Sequence, residues 1–178
     1  GMPCLRPATD SDALRALVFE VLHEYGLPPD PEGTDADLSE IEQHYRNEWF
    51  SVLEVNEQII GSVGLLSQEE TVMELRKMYL HRDWRGHGLG RLLLEQALNE
   101  ARQRGARRVV LGTAKVLGEA VALYEQSGFR PSQEKHPASR VDQAWELDLQ
   151  EGGLRSLTQP LCFWHAAYFP SPVGVGDR

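Results

Sequence analysis

Two hydrophobic periods alternate along this chain, one near 3.6 and one near 2. Leu14, Leu17, Val18, Val21, Leu22 and Tyr25 recur on a single helical face, and Gly26 supplies a stop. Just upstream, Leu5-Arg6 reads as a short strand ended by Pro7, and Thr9 with Asp12 resembles a capping box. Residues 27–34, with Pro28, Pro29, Pro31 and Gly33, read as a loop, followed by a second, polar helix over Asp37–Arg46. Trp49–Val55 and Ile59–Leu66 are rich in β-formers and predict a hairpin, with Thr71–His81 as a third extended stretch. The period then lengthens again. Leu89, Leu92, Leu93, Ala97, Leu98 and Ala101 share one side of a long segment that starts at Gly88 and is closed by Gly105. Arg108–Thr113 is a short apolar strand and Gly118–Ser127 a helix stopped by Gly128. Val141, Gln143, Trp145, Leu147 and Leu149 alternate with acidic residues as a half-buried strand.

The order β-αα-βββ-α-β-α-β-β predicts one mixed α/β (α+β) domain over residues 1–150, with no internal repeat. Residues 151–178 change character: Phe163, Trp164, Tyr168 and Phe169 cluster without a period, as a C-terminal tail either docked or disordered.

Charge changes the picture locally. A net charge of −9 excludes nucleic acid as a partner for the chain as a whole. No stretch approaches a membrane span and no signal-peptide pattern is present. Two cysteines, Cys4 and Cys162, fit free thiols and a cytoplasmic setting. Residues 76–91 carry Arg76, Lys77, Arg82, Arg85 and Arg91 against Asp83 alone, whereas 30–42 carry six acids and no base. Either the basic run meets an anionic ligand, or the two runs are solvated faces of opposite sign.

Inside the basic run stands Arg85-Gly86-His87-Gly88-Leu89-Gly90. It lacks the Gly-Lys-Ser/Thr ending of a Walker A loop and the G-x-G-x-x-G spacing of a dinucleotide fingerprint. It does follow an extended stretch and open a helix. Successive N–H groups and a helix N-terminus there suit a diphosphate, while a tight turn and close packing remain the structural alternative.

These six residues resemble the (Gln/Arg)-x-x-Gly-x-(Gly/Ala) acetyl-CoA loop of the GNAT superfamily of N-acetyltransferases, with Arg85, Gly88 and Gly90 at the defining positions. Glu74-Leu75-Arg76-Lys77-Met78-Tyr79-Leu80 looks like that family's central strand. Ala122-Leu123-Tyr124-Glu125-Gln126-Ser127-Gly128-Phe129 looks like its second motif. The resemblance covers about residues 3–149 and implies a mostly antiparallel sheet of six to seven strands. In such a sheet a central parallel pair splays apart, and about four helices flank it.

The resemblance also implies chemistry: transfer of an acetyl group from acetyl-CoA to a primary amine in a ternary complex. Main-chain groups of Met78, Tyr79 and Leu80 would line the pantetheine arm. The loop Arg85, Gly86, His87, Gly88, Leu89, Gly90 would hold the diphosphate, with the Arg85 or Arg91 side chain adding charge. Tyr124, with an ordinary phenolic pKa near 10, would contact the cofactor and act as general acid. Glu74 would be the general base, its pKa raised by burial. Simple alternation sets Glu74 beside Met78 and Leu80.

Gly118 stands where many relatives carry a cofactor-binding Asn. His81 and His87 are weaker proton-relay candidates, and no histidine spacing suggests a metal. The acceptor site would be built by residues 20–46 and 130–145, where the acids could steer in a cationic small-molecule amine. A homodimer is common in the family. The alternative to an enzyme is a non-catalytic acyl-CoA sensor; an acetyltransferase for a protein amine is the alternative acceptor reading.

Overall fold

Asp10, rather than Thr9, opens the first helix: its carboxylate accepts from the N–H groups of Asp12 and Ala13 at 3.0 and 3.2 Å. The structure is a computed structural model that describes residues 1–149; the aromatic tail and Cys162 lie outside the described residues. The elements in chain order are β1 (Cys4–Pro7), α1 (Ser11–Glu24), α2 (Ile41–His44), β2 (Trp49–Val55), β3 (Gln58–Glu69), β4 (Val72–Leu80), α3 (Leu89–Gln103), β5 (Arg108–Thr113), α4 (Gly118–Gln126), β6 (Arg130–Ser132) and β7 (Gln143–Asp148). The polar helix expected over 37–46 is broken into a 3-10 turn at Ala36–Leu38 and the single turn of α2. Its polar residues give no continuous apolar face to bury, and the chain instead sinks Leu38, Ile41 and Tyr45 one at a time.

The seven strands form one sheet in the order β1-β2-β3-β4-β5-β7-β6. Every neighbouring pair is antiparallel except β4–β5. The β2–β3 hairpin turns through Asn56 and Glu57, both at positive φ, as a two-residue hairpin requires. Helix α3 is the crossover between the two parallel strands, and its Leu89, Leu92, Leu93, Ala97 and Ala101 pack on Val63, Leu65, Leu75 and Val109. The other face of the sheet carries a second core, where Leu14, Val18 and Leu22 of α1 meet Leu38, Ile41, Tyr45, Phe50 and Val52. Sheet strands buried on both faces explain why β2 and β3 read as near-continuous apolar runs.

Among the described residues no helix is long and apolar enough to cross a membrane.

Candidate active site

Parallel pairing between β4 and β5 lasts only three residues, Val72↔Arg108, Met73↔Val109 and Glu74↔Val110. Beyond Glu74 the strands part, leaving a wedge between residues 75–80 and 111–113. On its other edge, β4 is bulged. Ser62 pairs with Tyr79 and Gly64 with Arg76, so Lys77 and Met78 together oppose Val63. Lys77 takes φ +54°, and its carbonyl accepts a 2.7 Å hydrogen bond from the Ser62 hydroxyl. Met78 is therefore without a register partner on either neighbouring strand.

The bulge also reverses the alternation. Met78 and Leu80 pack into the α3-side core and Tyr79 into the α1-side core. Glu74 and Arg76, before the bulge, share the face opposite Met73 and Leu75. Glu74 thus does not stand beside Met78 and Leu80, as uninterrupted alternation predicted.

The glycine turn follows β4. Gly86 and Gly88 adopt φ +83° and +81°, the left-handed region in which a Cβ is strained, and Gly88 is the N-cap of α3. That N-cap makes no side-chain hydrogen bond and the first turn holds no acid, so the initial N–H groups of the helix are open to an anion. These features fit a diphosphate. The groove beside the turn, about 380 Å³, is lined by Met78, Tyr79, Leu80, Arg85, Gly86, Gly88, Gly90, Arg91 and residues of α4. His87 is exposed, and His81 accepts from Asp83 N–H and sits 3.2 Å from Glu20.

Arg85 is held by the protein itself. Its guanidinium donates to both Glu24 oxygens (2.6 and 3.0 Å), to the Leu80 carbonyl (3.0 and 2.8 Å) and to the Tyr25 hydroxyl (3.0 Å). The fork is committed to tying the turn to α1 and β4. It braces the turn, and Arg91 is the other cation lining the groove.

Tyr124 of α4 is 4% exposed and lines the wedge with Met78, Tyr79, Leu117 and Ala120. Burial, and then the neighbouring Tyr79, push its phenol well above the ordinary value of 10. The hydroxyl keeps its proton more firmly than the free phenol expected from sequence.

Glu74 is 7% exposed. Its Oε1 accepts from Gln68 Nε2 at 2.6 Å, its Oε2 lies 3.1 Å from His136 Nε2, and Arg76 stands 3.6 Å away. Burial pushes its pKa up, but the His136 hydrogen bond, the Arg76 charge and Gln68 outweigh it and leave the carboxyl below the ordinary 4.5. The expected upward shift is therefore reversed: the acid is buried among donors rather than among apolar groups.

The acidic and basic runs turn out to be partners. Asp35, fully buried, receives both arms of Arg140 at 2.7 Å and lies 3.3 Å from Lys77 Nζ. Asp37 accepts from the Tyr45 hydroxyl at 2.6 Å and pairs with Lys77 at 3.1 Å and Arg76 at 3.6 Å. Arg76 and Lys77 both donate to the Thr34 carbonyl, which the bulge allows by turning them to one face. Burial raises the Asp35 pKa, yet Arg140, the Asp30 N–H and Lys77 bring it below 3.8. Asp35 and Asp37 are thus paired within the wall of the site, while Glu32, Glu40 and Glu42 of the same segment are exposed.

Three cavities run in series. The groove by the glycine turn shares Met78, Tyr79, Leu117 and Ala120 with the wedge. The wedge shares Thr34, Glu74, Arg76 and His136 with a chamber of about 790 Å³ between residues 30–37 and 132–139. Tyr124 and Glu74 occupy the two halves of this path. Sequence reasoning missed His136, Arg140 and Asp35. An isolated glycine within the apolar strand β5, Gly112, was the available signal of a close approach there.

The family model described as Acetyltransferase (GNAT) family matches residues 16–129. The uncharacterized N-acetyltransferase YjgM of Escherichia coli is 37% identical over 71% of this chain and 81% of its own length. The N-acetylaspartate synthetase of Xenopus tropicalis is 36% identical over 53% of this chain and 36% of its own, so the chain spans about a third of that relative. Among solved structures, a GNAT-family acetyltransferase from Staphylococcus aureus superposes with a TM-score of 0.77 at 19% identity, covering 83% of this chain and 99% of that one. The N-acetylglutamate synthase of Neisseria gonorrhoeae, complexed with coenzyme A and N-acetyl-glutamate, gives 0.62 at 21%, covering 84% of this chain and 35% of that one.

Proposed function

The chain belongs to the acetyltransferase (GNAT) family and is an acyltransferase; on that premise we propose that it acetylates the primary amine of a small molecule, using acetyl-CoA, by direct attack in a ternary complex. The observation that carries this reading is the series of adjoining cavities, groove, wedge and chamber, which share lining residues and place Tyr124 and Glu74 on the wedge between them. A path of this kind supports two substrates meeting without a covalent enzyme intermediate.

When bound, acetyl-CoA supplies an electrophilic thioester carbonyl and a thiolate leaving group. The N–H groups of Gly86 to Gly90 and the N-terminus of α3 hold the diphosphate. Main-chain groups of Met78, Tyr79 and Leu80, on the β4 edge left open where pairing with β5 ends, align the pantetheine arm and offer N–H donors where charge develops on the carbonyl oxygen.

Glu74, ionised at neutral pH, takes the proton of the incoming ammonium directly or through water, since only the free amine attacks. Tyr124 holds its proton and donates a hydrogen bond where the sulfur departs; full transfer follows only because burial makes a bare thiolate costly as well. With Asp35 and Asp37 paired inside the wall, acceptor choice rests on shape and on local polar groups. The chamber has the size of a small-ligand site, and one relative is named for the synthesis of a small N-acetylated product, N-acetylaspartate.

An amine panel scored by thiol release tests the reading. Amino acids, polyamines, aminoglycosides and peptides with free N-termini are compared. A small amine should exceed every peptide by about tenfold or more in kcat/KM, the discrimination a shaped pocket gives. Turnover of peptides alone would reject the small-molecule acceptor.

A further inference from the structure

His136 lies on the β6–β7 loop, outside the family motifs, and nothing in the reading above gives it a role. Its two ring nitrogens are both engaged. Nδ1 accepts the N–H of Ala138 at 3.1 Å, which leaves the ring proton on Nε2, 3.1 Å from Glu74 Oε2. The ring lies over Gly112 of β5. A Cβ there would come within 2.7 Å of His136 Cδ2 and 2.9 Å of its Cγ, so the strand makes room for the imidazole by omitting a side chain. Gly112 pairs with Ala144 on β7, which prevents the backbone from retreating.

We propose that His136 is a positioning residue: seated on Gly112 and fixed in one tautomer by the Ala138 N–H, it donates to Glu74 and holds that carboxylate ionised and aimed at the acceptor amine. The proposal rests on the reading of Glu74 as proton acceptor. A carboxylate already accepting from Gln68 and His136 has a set orientation. The Nδ1 contact opposes the alternative in which a protonated Glu74 donates back to the ring, so the pair resists trapping the proton. Charged and polar groups around Glu74 come from three elements: Arg76 on its own strand, Gln68 on β3 and His136 on the loop. Its β5 neighbour, Val110, carries no charge. Asp37 and the Tyr45 hydroxyl bear on Arg76 from the far side.

The decisive experiment is a pH titration of the Glu74 side-chain carboxyl by carbon NMR, with full-length protein and no substrate. His136→Ala should shift the Glu74 midpoint upward relative to wild type. His136→Gln, which keeps a donor near the place of Nε2, should restore most of that shift. Gly112→Ala, which leaves the histidine but displaces its ring, should shift the midpoint in the same direction as His136→Ala. An unchanged midpoint in both His136→Ala and Gly112→Ala would overturn the proposal. Because this readout needs no turnover, it separates from the acceptor reading. Full activity in Glu74→Gln would remove Glu74 as base while leaving the His136–Glu74 coupling measured as before.

Discussion

On the 85–91 side of the β4–β5 wedge, the groups proposed to bind are main-chain amides, set by the turn Arg85–Gly90. On the 30–37 side they are side chains held by ion pairs, such as Asp35 with Arg140, separated by 105 positions in sequence. The two constructions have different tolerances. A cradle of N–H groups is indifferent to most side chains but intolerant of a Cβ at φ +81°. A buried ion-pair wall is sensitive to the loss of any one member, because the partner left behind stays buried and charged. Chemistry that every relative needs fits the first construction. A choice of acceptor fits the second.

Tyr124→Phe should have the largest effect. Removing the only hydroxyl on that residue leaves the ring packed against Phe129, and kcat should fall by about 10²–10⁴-fold with acetyl-CoA affinity unchanged. Presteady-state kinetics with any accepted amine would check this, and an undiminished chemical step would remove the acid role.

On the opposite wall, Asp35→Ala should cost about 3–5 kcal/mol, since Arg140 and Lys77 lose a fully buried partner. For a domain of this size the melting temperature should drop by roughly 10 °C. The sign of the pH dependence follows from the lowered folded-state pKa. Stabilisation by Asp35 is complete above the ordinary 3.8 and fades as pH falls through the folded value. Wild type and variant should therefore converge in acid, and parallel curves would contradict the assignment.

The smallest effect distinguishes two roles for Arg85. If its guanidinium braces the turn through Glu24, Glu24→Gln should weaken acetyl-CoA binding by severalfold, about 1 kcal/mol or less, and Arg85→Ala by about tenfold. If instead Arg85 served the phosphates directly, releasing it from Glu24 would tighten binding.

The same contrast governs how far the sequence could be read. Gly86 and Gly88 encode local backbone geometry, so the turn, helix α3 and the strand before it were legible. The central wedge was implied by the family resemblance and is present in the pairing of β4 and β5. What escaped was set by register and distance. The bulge at Lys77 depends on how β3 lies beside β4, and it reversed the face assigned to Glu74. The Glu74 pKa reversed with it, because His136 arrives from 62 residues away. Three-residue β6 was counted in the predicted element order, but it carries too few positions to show a period and so could not be placed on particular residues. The opposite charges of 30–42 and 76–91 were visible, but that they meet each other required the fold.

Calorimetric titration with acetyl-CoA and with S-acetyl-pantetheine, which lacks the nucleotide and diphosphate, tests the main-chain cradle most directly. Two hydrogen bonds to a charged group at about 1.5 kcal/mol each predict that acetyl-CoA binds at least about 100-fold tighter, and that Gly88→Glu erases most of that advantage. Equal affinity for the two compounds, or a Gly88→Glu protein that binds acetyl-CoA as wild type does, would contradict it.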